Sequence, residues 1–278
     1  MDTSQIDTEM TNTEEITTLS LIPEEEIEID PSFKEIVNMF NAEKSRKTGE
    51  SPVHFQERLE KYLFDKPEKT RENFFKFVEQ RSHDLEYTII LAFLCDRGIG
   101  TSMDNNIAFD YYKQAAEQGD AFSQYSTGLR YFLGFGVKTD RREAQFWYRK
   151  SAEAGYIHGQ FQLGYFLTLG KDKKNNWPEA KYWLKTAMAQ GSTSALDILG
   201  ISYVKGHGPQ KDMRVGCWYY QRGAMLGNHS CQCEIAKYYR VGEGVPKDIH
   251  MAIKWFRKNV DAGFSKILLV DLFRMLEG

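Results

Sequence analysis

Four cysteines, six histidines and several paired glycines are the residues of this chain best equipped for chemistry. Thiolates and imidazoles would hold a metal, and glycine pairs would cradle a phosphate. The spacing supports neither. Cys231 and Cys233 are two apart, so on a helix they point about 200° from each other and do not reach one ion together. Cys95 and Cys217 stand alone. The histidines His54, His83, His158, His207, His229 and His250 contain no i, i+4 pair, the arrangement that offers two imidazoles to one zinc. Gly134/Gly136 and Gly242/Gly244 look like the start of a dinucleotide fingerprint, but a third glycine is missing and helical rather than strand patterns precede them. No Ser, Cys or Lys nucleophile sits in a recognisable motif. The expectation is a chain with no catalytic residues, no cofactor and no metal.

The glycines instead mark a period. Gly119, Gly155, Gly191, Gly227 and Gly263 stand 36 apart, as do Gly98, Gly134, Gly170, Gly206, Gly242 and Gly278. A third column reads Gly100, Gly136, Asp172, Gly208 and Gly244. A period of this size predicts a stack of two-helix units, none able to bury its apolar face alone. In each unit the glycines after the first helix supply the positive φ of a left-handed stop. Asp104, Asp140, Asn176, Asp212 and Asp248 then form a column of N-cap types for the second helix. Glu143 and Glu179, three residues further on, suggest capping boxes.

Each predicted second helix carries one apolar stripe. Ala144, Trp147, Tyr148, Ser151 and Ala152 fall at i, i+3, i+4, i+7 and i+8, and the other four units repeat the pattern. Small residues let neighbouring hairpins approach while rings fill the gaps. The first helices have small columns of their own, Ser123/Gly159/Ala195/Cys231 and Gly128/Gly164/Gly200/Ala236, which close packing explains better than a cofactor.

Ahead of the array, residues 1–30 carry ten carboxylates and no Lys or Arg, while the whole chain has a net charge of -3. Low hydrophobicity with unbalanced charge predicts a disordered acidic tail, with one apolar knot, Leu19-Ser20-Leu21-Ile22, of the kind that can add to a partner's sheet edge. A linker completes the region 1–50, with a short helix expected at 31–42. Residues 51–83 read as a divergent capping hairpin. The array runs 84–278, with units at 84–119, 120–155, 156–191, 192–227 and 228–263 and a capping helix at 264–278. Its charges are too evenly mixed for a phosphate-backbone binder, so no nucleic acid is expected. Neither an apolar run long enough to span a membrane nor a secretory leader is apparent, and unpaired cysteines fit a reducing cytoplasm or nucleus.

These residues resemble the Sel-1-like repeat family, a relative of the tetratricopeptide solenoids. The unit ending GFGVKTDRREAQFWYRKSAEAG meets the family pattern almost throughout, and GEGVPKDIHMAIKWFRKNVDAG follows it closely. The third unit departs most, with Lys171 to Asn175 where the family has Gly-Val. The resemblance implies an all-α, right-handed superhelical solenoid of about five two-helix repeats. It also implies an adaptor without activity of its own, working in complex assembly, quality control, cell-wall synthase regulation or kinase signalling. Some relatives end in a prenylated cysteine box. Arg274 to Gly278 contains no cysteine, so that lipid anchor is not expected.

The leading expectation is therefore a protein-binding scaffold whose concave face, lined by first helices, holds a peptide or helix of a partner such as a kinase or other signalling enzyme. Residues of those helices lying off the core columns are the candidates: Phe122, Gln124, Arg130, Gln160, Phe166, Tyr238 and Arg240. The alternative is a regulatory subunit of a kinase, cell-wall synthase or ubiquitin ligase complex, modulated by the acidic tail folding back on the array.

Overall fold

A computed structural model describes residues 32–34, 36–38, 52–170 and 173–261. The acidic segment, the knot at Leu19 to Ile22 and the C-terminal stretch 264–278 lie outside these residues. Those described are helical throughout, with no strand among them. Beyond the helical stretches 32–34 and 36–38, the helices are α1 (Pro52–Phe64), α2 (Glu68–Glu79), α3 (Leu85–Arg97), α4 (Asn105–Glu117), α5 (Ala121–Leu133), α6 (Arg141–Glu153), α7 (Ile157–Leu169), α8 (Lys173–Ala189), α9 (Thr193–Lys205), α10 (Met213–Met225), α11 (His229–Val241) and α12 (Ile249–Asp261). From α2 onward each packs chiefly on its neighbours in sequence, which makes the molecule a solenoid.

Local chemistry sets the hairpins. Asp104 accepts from the backbone N–H groups of Asn106 and Ile107, and Asp140 from those of Arg142 and Glu143. Asp212 and Asp248 cap Val215 and Met251 in the same way. The backbone N–H of each of these four aspartates also donates to a carbonyl of the preceding helix, at Cys95, Tyr131, Tyr203 and Tyr239, which closes the hairpin loop. Gly98, Gly134, Gly206 and Gly242 end their helices in the left-handed region, as the spacing requires.

The third unit differs. Gly170 is extended, with φ -62° and ψ 159°, in the one unit whose sequence has Asp172 in place of the second glycine. Helix α8 consequently starts early, at Lys173, and runs for 17 residues with Pro178 inside it. Asn176 is thus an interior residue rather than the expected N-cap. Glu179 makes no capping box either: its carboxylate takes hydrogen bonds from Arg149 of α6 and from Trp183 Nε1 at 3.3 Å.

Within the hairpin, a glycine of the first helix meets a large side chain of the second. A Cβ on Gly128 would lie 2.8 Å from Tyr148 Cδ1, one on Gly164 2.7 Å from Leu184 Cγ, and one on Gly200 2.7 Å from Tyr220 Cε1. The small column of the first helices therefore exists to admit the large column of the second. Trp147 and Tyr148 are both buried, as the stripe predicts. Polar ties repeat as well. Ser151 Oγ donates to the Ala121 carbonyl at 2.6 Å, and Asn259 Nδ2, three units on, donates to the His229 carbonyl at 2.9 Å.

At the N-terminal end, Phe33, Ile36 and Val37 are buried among Phe74, Phe77 and the α3 residues Ile89 and Ile90. Phe33 meets Phe74 edge-on at 5.1 Å.

Two glycines separate backbone conformation from contact. Gly227 has φ +90° with nothing within 4 Å of an added Cβ, so Gly227→Ala is expected to cost about 1 kcal/mol. Gly136 has φ +70°, and its added Cβ would fall 1.8 Å from the Asn105 carbonyl oxygen of the preceding unit. Gly136→Ala should cost about 2–4 kcal/mol, because overpacking adds to conformational strain. Urea unfolding of both variants checks the order, which must not be reversed.

Candidate partner-binding site

First helices of successive units, α5 with α7, α7 with α9 and α9 with α11, touch one another more extensively than the second helices do. The array therefore bends toward its first helices, which line the inner side. At the N-terminal part of that side a cavity of about 370 Å³ opens between α1, α3, α4 and α5, lined in part by Asp96, Tyr112, Phe122, Tyr125, Arg130 and Phe135.

Arg130 is the charged centre of this cavity, with a side chain only 7% exposed. Its Nη2 donates to Asp96 Oδ1 at 2.5 Å, and its guanidinium lies 4.8 Å from the centroid of the Tyr112 ring. A guanidinium against an aromatic face gains quadrupole attraction. Nη1 is buried without a hydrogen-bond partner. Burial, foremost, and the nearby Asp96 carboxylate raise the Tyr112 phenol above its ordinary range, so its oxygen stays protonated. Gln56 Nε2 donates to that oxygen at 3.4 Å. Phe122 closes the wall, with ring centroids 6.1 Å from Tyr112 and 6.1 Å from Tyr156.

Of the seven candidates, Phe122 and Arg130 come together in this cavity. Gln124 and Gln160 turn into the array instead, where their Nε2 atoms donate to the Ala116 and Ala152 carbonyls at 3.3 and 3.4 Å. Gln232 repeats this bond to Ala224 at 3.3 Å, so the column ties each first helix to the end of the second helix before it. Phe166 is buried against Phe132 at 6.0 Å and Tyr148 at 6.2 Å. Tyr238 and Arg240 are half-buried on α11, outside the cavity lining. There Tyr238 stacks on Tyr220 at 5.9 Å, and burial pushes its phenol up to about 12.

Asp96 and Tyr125 escape a reading based on repeat columns. Asp96 precedes Arg130 by 34 residues, and Asp197 precedes its neighbour Cys231 by the same interval. That spacing brings consecutive first helices together and was the available signal. All four cysteines are free thiols. Burial pushes Cys95 and Cys217 up to about 11, which keeps them protonated and unreactive.

Stacked helical hairpins of fixed length, with a glycine-stopped first helix and an Asp-capped second, define an α-solenoid repeat protein. The Sel1 repeat model matches residues 89–120, 121–156, 157–192, 193–228 and 229–264, and the chain belongs to that family. Comparison with curated proteins finds no match. Among solved structures, the chain is similar to a Sel1 repeat protein from Oxalobacter formigenes, with a TM-score of 0.64 and 30% identity over 70% of this chain and 79% of that one. It is also similar to c5321, a protective antigen of uropathogenic Escherichia coli with an SLR fold, at a TM-score of 0.69 and 25% identity. That match covers 87% of this chain and 51% of the antigen, so the chain spans about half its length. Sel1 repeat proteins generally mediate protein–protein interaction and are generally non-catalytic. Among the described residues, no helix is long and apolar enough to cross a membrane.

His158 sits beside the cavity wall, 5.9 Å from the Tyr125 ring and 5.3 Å from the Tyr156 ring. Burial lowers its pKa, so the unfolded chain, titrating near 6.5, binds the proton more readily than the folded one. Its contribution to stability is therefore complete above about pH 6.5 and falls as pH drops below that toward the folded value, by at most about 1.4 kcal/mol per pH unit. Urea unfolding at pH 7.5 and 5.5 should show a larger loss for wild type than for His158→Gln.

Proposed function

We propose that the array is an adaptor that holds a peptide or helix of a protein partner along its inner, first-helix face, anchored at the Arg130 cavity. The observation that carries this reading is the buried Nη1 of Arg130, a guanidinium donor without an acceptor in the wall of an open cavity. A buried unpaired donor is costly, and an incoming acceptor removes the cost. Asp96 already balances the charge of Arg130, so the demand is for a neutral oxygen rather than a second carboxylate. A peptide unit offers both groups: with the guanidinium turned toward the cavity, its carbonyl accepts from Nη1 while its N–H donates to the Asp96 carboxylate. The rings of Tyr112, Phe122, Tyr125 and Phe135 accept the adjoining apolar side chain, and aromatic and Arg side chains are the types that concentrate interface energy. Tyr238 and Arg240 extend the same face toward the C-terminal units.

In this role the protein assembles complexes, with a kinase or other signalling enzyme as the class of partner the family suggests, in a reducing cytoplasm or nucleus that suits four free thiols. Affinity purification of the full chain followed by mass spectrometry tests the reading. Phe135, 52% exposed, can be shortened without opening the core. Phe135→Ala should lower recovery of the main partner at least threefold with an unchanged thermal melt. Equal recovery by wild type, Phe135→Ala and a folded Arg130→Leu/Tyr238→Ala variant would sink it.

A further inference from the structure

The second helices carry a feature that the inner face does not use. Phe146, Tyr182 and Trp218 occupy one position of α6, α8 and α10, spaced 36 apart, and are 48%, 61% and 47% exposed. Each stands edge-on to the ring one residue later, at 5.1 Å from Trp147, 4.9 Å from Trp183 and 4.9 Å from Tyr219. The same arrangement therefore recurs in three consecutive units, each outer ring set against a ring of the apolar stripe. Lys150 Nζ lies 5.8 Å from the Phe146 ring centroid and the Arg222 guanidinium 5.1 Å from that of Trp218. Single exposed apolar residues are ordinary, but a row of rings in register on a basic face has the composition of an interface.

Charge is divided between the helix layers in the same way. Helices α6, α8, α10 and α12 contain thirteen Lys and Arg against four Asp and Glu, whereas α5, α7, α9 and α11 contain four against two. The chain also contains an occupant of matching chemistry. Residues 1–30 hold ten carboxylates and no base, with Leu19, Leu21 and Ile22 running into Glu24, Glu25 and Glu26. The burial of Phe33, Ile36 and Val37 fixes where this segment joins the array, at its N-terminal end. Thirty residues reach about 100 Å when extended, far enough to pass three units. Joined to the array, the segment is present at an effective concentration on the order of millimolar, so weak contacts suffice.

We propose that residues 1–30 dock on the second-helix face along the row Phe146, Tyr182 and Trp218. Leu19, Leu21 and Ile22 lie on the rings, and the glutamates lie beside Lys150, Lys185 and Arg222. This gives the regulatory reading a surface of its own. It does not depend on the Arg130 cavity, and either proposal can fail while the other stands. A partner that uses the row must first displace the segment.

Zero-length carbodiimide cross-linking of the full chain at low salt, read by mass spectrometry on the monomer fraction, tests this directly. Carboxylates of residues 1–30 should join to Lys150 and Lys185. These links should fall at least fivefold in 0.5 M sodium chloride, where the Debye length contracts to about 4 Å. They should fall as far in Phe146→Ala/Tyr182→Ala/Trp218→Ala at low salt. The three side chains are exposed, so an unchanged thermal melt is expected; if the triple variant unfolds, Trp218→Ala and the wild-type salt series carry the test. Links formed equally to Lys205 and Lys237 of the first helices, links confined to dimers, or links indifferent to salt and to the row variants would each overturn the proposal. Fluorescent oligouridylate that binds wild type at physiological salt and is lost in the row variant would reassign the face to single-stranded RNA.

Discussion

Close approach of one backbone to another, at a glycine, spaces this array. The turn after each of three first helices seats a positive-φ glycine on a backbone carbonyl of the element before it: Gly100 on Arg71, Gly136 on Asn105 and Gly244 on Met213. A Cβ at those points would lie 2.2, 1.8 and 2.5 Å from the carbonyl oxygen, inside any van der Waals distance. Side chains can shift to relieve a crowded contact, whereas a main-chain carbonyl inside a helix has little room to do so. The contact thus fixes how far one hairpin stands from the next. Where Asp172 replaces the glycine, the third unit makes up its junction differently, with a longer α8 and the Arg149–Glu179 pair.

That spacing also sorts polar groups. Between units the layers meet tightly enough that Gln124, Gln160 and Gln232 are drawn inward to the carbonyls at the ends of the preceding second helices. Those carbonyls already accept from the backbone N–H groups of Gly119, Gly155 and Gly227, and the side-chain amide occupies their second lone pair. The same tightness holds Arg130 against Asp96 and Tyr112 with one nitrogen unmatched. A repeat protein can retain such a defect locally, because each unit answers mainly to its neighbours and the rest of the stack carries the stability.

The bend of the array gives its two surfaces different chemistry. First helices converge and expose little charge. Second helices diverge and carry more lysines and arginines than the first helices do, together with rings left outside the core. One scaffold thereby presents two faces of different composition, an inner one with little charge and an outer one that is basic and aromatic.

Much of the architecture was legible in the residues. The 36-residue period, the left-handed stops at Gly134 and Gly242, the caps at Asp104 and Asp140 and the stripe through Trp147 and Tyr148 all depend on interactions within one hairpin or with its immediate copy, so spacing alone encodes them. The third unit misled because its Asn176 has the type of a cap without the turn that makes a cap. The inner side of the array was legible too, but not which of its residues face outward. Gln124 resembles a surface residue until its amide is found donating to the carbonyl of Ala116 in the unit before. Arg130 looks like a free anchor until Asp96, 34 residues back, is placed beside it. Sequence by itself determined the units and their order, because those are set by short-range backbone and side-chain preferences. Only the tertiary structure decided which side chains the packing consumes and which remain to meet a partner, because that depends on distances between units that no local pattern contains.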